Sequence, residues 1–542
     1  MSVARSSLVM ASGTIASRLL GFVRTVVLAL TIGVTTDAAD AFGVANQLPN
    51  NVYAIIAGGV LSAVLVPQIV KARLHEDSGH SYIDRLLTLA IVVFAAVTVL
   101  ATLAAPFLVS LYTTGWSPAQ LALATAFAYW CLPQLFFYGL YSMLGEVLNA
   151  RSAFGPYMWA PVLNNVVGLA GLIGFLLIFG ADPTGERTVA SWSGEQIALL
   201  SGSATLGVIA QAMILFLSWK KIGINFSLNF RWRGFGLRPA IKAAGWSLAM
   251  VLVSQIGGLV QTIVASRAAS ERAGDIAIAS VAAAAIAWLI FMLPHSVVTV
   301  SIATAYFTKM SEHVQAKRID LMKIDLRKAL RVVVLVNVFS SVALIVLALP
   351  VSRVFVGEYS ATVALGNVLL ATMFGLVPFG MVFMFQRAFY ALEDTRTPFL
   401  FTSIQIGFHI LGSIILFFNV SAAYLVSSLA ALTSITIGIQ ALSAYLMLRK
   451  RIGEIGKPPS GEALTLRVIA AGAAAAIAGF LALQGFGGIS EGSFAVATIL
   501  GSVATILATG LGMLLAYSLV LRLLKVPEIT SVLQSLGGIL RR

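Results

Sequence analysis

Long apolar runs constrain this chain more than any other feature: stretches such as 83–113, 157–180 and 398–419 are apolar on every face. A membrane-crossing helix needs about 20 such residues. Backbone polar groups inside a bilayer must be satisfied internally, which leaves only helices and closed barrels. Barrel strands would be about 10 residues long and would alternate polar with apolar, so these runs are helices. A soluble enzyme is excluded as well, because 10% of the 542 residues are charged and 59% are hydrophobic, against about 25% charged in soluble proteins. The chain is expected to be an all-α polytopic membrane protein.

Hydropathy places helices near 7–32, 38–70, 83–113, 119–149, 157–180, 195–219, 238–266 and 276–308, then 326–350, 360–391, 398–419, 421–448, 464–485 and 494–524, fourteen in all. The first has a weak basic flank and no small-residue cleavage site, and is read as an uncleaved span. Stretches outside the spans are all shorter than about 25 residues, so function is expected within the helices. An even number of spans puts both termini on one side. That side carries 29 Lys and Arg, the opposite side four, and Arg18 and Arg24 fall inside the first span. The positive-inside rule makes both termini cytoplasmic. The net charge of +14 therefore reports topology and contact with anionic membrane lipids, not nucleic acid. The single cysteine, Cys131, precludes a disulfide within the chain.

The halves resemble each other in register. Ser62–Lys71 aligns with Ser301–Lys309, and Leu148–Arg151 before Pro156 aligns with Phe389–Leu392 before Pro398. Pro49 pairs with Pro294 and Pro133 with Pro378, both at an offset of 245 residues. Two six-helix repeats, residues 1–220 and 221–450, follow the parallel-repeat pattern of transporters, whose substrate path runs between the halves. Residues 451–542, with helices 13 and 14 and the C-terminus, are an addition.

Polar residues inside the spans mark the chemistry. The first span carries Ser17, Arg18, Gly21 and Arg24 and has no carboxylate. Each mid-span arginine costs about 2.5 to 3.5 kcal/mol on insertion scales. Guanidinium forks suit phosphate, which points to a desolvated anion site; snorkelling to an interface or bonding to neighbouring carbonyls is the alternative. Six residues along an ideal helix put the two side chains about 120° apart, and Gly21 would ease a bend that lets them converge. The second span holds Asp37, Asp40, Asn46, Gln47, Pro49, Asn50, Asn51 and Tyr53 and is expected to be kinked and wet on one face. Asp40 is either a loop carboxylate or a gating or charge-pairing residue. Glu146, Asn164, Asn165, Gln211, Ser254, Gln255, Gln261, Arg387, Gln405 and His409 are also intramembrane. Most are expected to bond across helix interfaces, His409 as a bonded interior histidine. Glu146 and Arg387 occupy equivalent repeat positions near cytoplasmic helix ends; snorkelling or a latch between the halves would account for them. Metal ligation, a nucleophile with its base and a paired-carboxylate centre are not expected, so the chain reads as a transporter rather than an enzyme.

Several of these segments are similar to signatures of the MurJ (MviN) family: Ser17-Arg-Leu-Leu-Gly-Phe-Val-Arg24, Asp40-Ala-Phe42, Leu48-Pro-Asn50, Gly58–Pro67, Leu148–Pro156 with Ala160–Asn165, and Phe389–Pro398. The resemblance runs from about residue 7 to 525. It implies a lipid II flippase of the multidrug/oligosaccharidyl-lipid/polysaccharide (MOP) exporter superfamily, in the bacterial plasma membrane. It also implies two lobes around a cationic cavity for the diphosphate and sugar-peptide head, with helices 13 and 14 forming a groove for the polyprenyl tail. Carried over residue by residue, Ser17, Arg18, Arg24, Asn50, Asn165 and Gln255 would bind substrate, and Asp40 would be the helix-2 carboxylate. The chain departs from the pattern where well-studied members carry arginines, having Tyr53 and Ala54 after Leu-Pro-Asn and Leu289 before Pro294, and it has Gly58 in place of a glutamate. The expected substrate is lipid II, an undecaprenyl-diphosphate-linked disaccharide peptide. Cell-wall synthesis and division proteins are the expected partners. No cofactor is expected, and transport would couple to membrane potential, Na⁺ or H⁺. Another polyprenyl-linked glycan or a drug as substrate, or a non-transporting scaffold, remain the alternative readings.

Overall fold

The computed structural model describes residues 3–57, 80–150, 154–221, 227–230, 237–272, 277–455 and 464–528. The Gly58 position, the Ser62–Lys71 repeat stretch and Arg151 lie outside them. All regular structure among the described residues is helical. The chain divides into two units: residues 1–271 with 280–282, and residues 272–279 with 283–542.

Unit 1 contains α1 (Val3–Ile32), α2 (Asp37–Ile56), α3 (His80–Leu103), α4 (Ala105–Tyr112), α5 (Pro118–Cys131), α6 (Gln134–Ala150), α7 (Phe154–Phe179), α8 (Gly194–Lys221) and α9 (Leu237–Ser270). The next helix, α10 (Val281–Pro294), begins in unit 1 and continues into unit 2 through a π-helical turn, His295–Thr299. Unit 2 goes on with α11 (Val300–Gln315), α12 (Ile319–Val346), α13 (Ala348–Arg353), α14 (Tyr359–Met373), α15 (Leu376–Ala391), α16 (Arg396–Asn419), α17 (Ala422–Ile452), α18 (Leu464–Gly485), α19 (Phe494–Ala497) and α20 (Ile499–Leu523). Among the described residues eleven helices are long and apolar enough to cross a membrane, and two bent pairs raise this to thirteen. The expected span at 38–70 coincides over its described part with α2, which carries Asp37, Asp40, Asn46, Gln47, Asn50 and Asn51.

Prolines stand beside the breaks in the third, fourth and tenth spans. The third bends by 71° between α3 and α4, with Pro106 in the first turn of α4, where a missing N–H costs no helical bond. The fourth is interrupted at Leu132–Pro133, between α5 and α6. The tenth bends by 41° between α14 and α15, three residues before Pro378. Carbonyls freed at such breaks must find donors within the protein. In unit 1 the Thr205 hydroxyl of α8 donates to the Trp130 carbonyl at 2.6 Å. In unit 2 the Ser434 hydroxyl of α17 donates to the carbonyls of Ala371 and Thr372, at 2.7 and 3.1 Å, and the Ser341 hydroxyl donates to Met373 at 2.7 Å.

Candidate functional site

Helix α1 is continuous from Val3 to Ile32, so the bend that would bring Arg18 and Arg24 together does not occur. Gly21 serves a different purpose. Gly13, Ser17 and Gly21 recur every fourth residue and form one small-residue face, which lets α7 approach closely. A Cβ on Gly13 would lie 2.9 Å from the Met158 carbonyl oxygen, and one on Gly21 would sit 3.6 Å from the Asn165 amide. Arg24 continues this face and lies against α7, where Gly168 makes room for it. A Cβ at residue 168 would be 2.7 Å from both Cζ and Nε of the guanidinium. Arg18, about 120° away, is exposed and makes no hydrogen bond or ion pair among the described residues.

Arg24 is half-buried. Its Nη1 donates to the Asn164 side-chain oxygen at 3.4 Å, and the Asn164 amide donates in turn to Gln211 Oε1 of α8 at 2.7 Å. This is the only hydrogen bond of the guanidinium among the described residues, and no carboxylate pairs with it there. Ser17 and Asn165 meet as well: the Asn165 amide donates to the Ser17 carbonyl at 2.9 Å and to its hydroxyl at 3.3 Å. Ser17, Arg24 and Asn165 therefore share the α1–α7 contact. The sequence had marked Asn165, but the residue that touches the arginine is its neighbour Asn164. Only the Asn-Asn doublet and the mid-span Gln211 hint at this, since both amides reach α1 and the helical phase against that neighbour decides which of them meets the arginine.

The other marked residues lie elsewhere in unit 1. Asn50 is exposed. Gln255 of α9 donates to the Asn51 carbonyl at 2.8 Å, and Asn51 donates to the Tyr112 hydroxyl at 3.2 Å, tying α2 to α9 and α4. Asp40 is fully buried. Its Oδ1 accepts the Ala282 N–H at 2.8 Å, which caps the first turn of α10, and Gly43 lets Val281 settle beside it. An amide cluster surrounds the break in the fourth span: Gln134 donates to Asn46 at 3.3 Å and to Thr205 at 3.0 Å, and Tyr138 donates to Gln134 at 3.1 Å. Tyr53 is half-buried in a ring cluster, stacked on Phe94 at 6.2 Å and tilted against Tyr138 at 5.8 Å.

Unit 2 differs in character. Leu289 is half-buried. Arg387 lies over the Phe383 ring at 4.8 Å and near Phe307 at 5.6 Å, a cation–π setting. His295 is buried against Phe379 and Phe383, with centroids 4.5 and 5.1 Å away. His409 is interior as expected, but it is not bonded: neither ring nitrogen has a hydrogen-bond partner among the described residues.

Comparison with known proteins decides the family. The family model described as lipid II flippase MurJ matches residues 28–490. The chain belongs to the MurJ family. Similar curated members include the "Probable lipid II flippase MurJ" of Rhizobium meliloti, 25% identical over 436 residues and covering 78% of this chain and 77% of the relative. That of Haemophilus influenzae is 26% identical over 479 residues, covering 80% and 84%. The fold is similar to a solved "Lipid II flippase MurJ, inward closed conformation", with TM-score 0.72, 20% identity, and coverage of 95% of this chain and 99% of the other. An inward-facing MATE transporter of the MOP superfamily matches with TM-score 0.57 and 17% identity, covering 80% and 98%. Membership in the MurJ family makes the protein a transporter rather than an enzyme, and a multi-pass protein of the bacterial inner membrane.

Proposed function

We propose that the protein moves lipid II from the cytoplasmic to the outer leaflet by alternating access, with Arg18 and Arg24 of α1 holding the diphosphate. The observation that carries this reading is a pair of guanidinium groups on one membrane helix, neither paired with a carboxylate among the described residues, in a chain of the MurJ family. Placing that charge in a membrane is costly, and an anionic ligand offsets the cost. Arg24 is held on α7 while Arg18 is exposed, so Arg24 supplies the fixed contact and Arg18 the adaptable one. Asn50, an exposed amide on α2, would serve the sugar-peptide head; Ser17, Asn165 and Gln255 shape the helices behind the site.

Both termini are cytoplasmic in this reading, residues 1–220 and 221–450 act as the two lobes, and the last two spans, α18 and α20, hold the polyprenyl tail. An inside-negative potential favours outward movement of the anion by about 2.3 kcal/mol per charge per 100 mV, less any inward movement of Na⁺ or H⁺. The test is transfer of labelled lipid II in proteoliposomes at a set potential, comparing the parent with Arg18→Ala and Arg24→Ala. Loss of transfer in both variants is expected. Transfer at the parental rate in either would remove that arginine from the site.

A further inference from the structure

We propose that Asn164 and Gln211 are positioning residues: they hold Arg24 through a neutral acceptor, so that the guanidinium is oriented without being neutralised before the anion arrives. The inference rests on the reading of Arg24 as part of the anion site. Its structural basis is a chain of contacts across three helices. Gln211 Oε1 takes the Asn164 amide N–H at 2.7 Å, which turns the Asn164 oxygen toward Arg24 Nη1, 3.4 Å away. The Asn164 side chain is wedged over Gly207, one turn before Gln211, where a Cβ would lie 2.5 Å from Asn164 Oδ1. Gly168, one turn after Asn164, seats the guanidinium against the α7 backbone. The arginine is therefore fixed from two sides, by an amide oxygen and by a glycine surface.

One amide oxygen engages one of the five N–H donors of a guanidinium. The remaining donors make no hydrogen bond among the described residues. A carboxylate at residue 164 would have nearly the same shape but would form a charge-assisted, often bidentate pair, consuming both the charge and the fork a diphosphate needs. The amide thus serves as a support that does not compete with the substrate. Gln211 is what keeps the Asn164 oxygen, rather than its NH₂, facing the arginine.

The experiment measures binding of geranyl diphosphate, a soluble short-chain diphosphate, to the purified full chain, with lipid II transfer as the second readout. Variants N164D, Q211M and Q211E are made in the parent and in the R24A background. N164D is expected to weaken binding by about tenfold or more, and Q211M by about threefold. Q211E keeps an oxygen for the Asn164 amide but sets a carboxylate one hydrogen bond away from the arginine, and is expected to weaken binding more than Q211M does. In the R24A background the three variants should bind alike, because the group they position is gone. Parental affinity in N164D, or an equal loss with and without Arg24, would overturn the proposal. Should N164D not fold, the Q211M and Q211E pair decides, and equal affinity of the two would overturn it. Unchanged binding by R24A alone would instead sink the anion-site reading.

Discussion

The fourth span of unit 1 and its counterpart in unit 2 are broken beside matching prolines, Pro133 and Pro378, and repaired in the same way. A hydroxyl from α8 in one and α17 in the other, Thr205 and Ser434, donates to carbonyls freed at the break. What surrounds the two breaks is different. In unit 1 it is amides and a phenol, Gln134, Asn46 and Tyr138. In unit 2 rings crowd in, with Phe379 meeting Trp288 at 5.9 Å, Phe291 at 5.3 Å and His295 at 4.5 Å, beside one amide, Asn337, which donates to the Leu376 carbonyl at 3.4 Å and to the Thr299 hydroxyl at 3.2 Å. The arginines differ in the same way, Arg24 being held by an amide and Arg387 by aromatic faces. Both breaks use the same backbone device, because an unsatisfied carbonyl in a membrane is costly at either. The side chains around the two breaks are less alike than the backbone repairs.

The largest expected effect separates the two arginines. Arg24→Ala should lower lipid II transfer by about a hundredfold or more, the scale for losing a charge-stabilising donor, whereas Arg387→Ala should stay within about twofold of the parent. Equal losses would show that unit 2 carries charge chemistry too. A smaller contrast concerns glycines. Gly13→Ala forces a methyl against a backbone oxygen 2.9 Å away, while Gly412→Ala meets only the Leu432 side-chain end at 2.5 Å, which can turn aside. Thermal unfolding in detergent should show a cost of about 1–3 kcal/mol for the first and distinctly less for the second; the reverse order would mean that α1 does not depend on its close fit to α7. The smallest effect tests the likeness of the breaks. Thr205→Val and Ser434→Ala should each cost about 0.6–1.7 kcal/mol, the range for interhelical hydrogen bonds in membranes. A markedly larger loss at either position would mean that the two repairs are not equivalent.

Some of the site was legible in the residues themselves. Arg24 stood out because a mid-span cation without a carboxylate needs an explanation, and the Pro133 and Pro378 positions stood out by their shared offset. Asn164 did not, since nothing in an Asn-Asn doublet says which member meets the arginine. Gly21 is as consistent with a bend as with close packing, and the neighbouring helix decides for packing. Asp40 carried three readings, and its burial against the Ala282 N–H depends on residues more than two hundred positions away.

The sequence by itself determined the class of molecule, the positions of nearly all its helices and the presence of uncompensated charge in the first, because the bilayer dictates length, apolarity and the cost of a buried cation residue by residue. Only the tertiary structure decided which polar groups meet. Helix–helix contacts in a membrane are set by close packing of small residues rather than by hydrophobicity, and a shift of one residue around a helix turns a side chain by about 100°, enough to give Arg24 to Asn164 and Ser17 to Asn165.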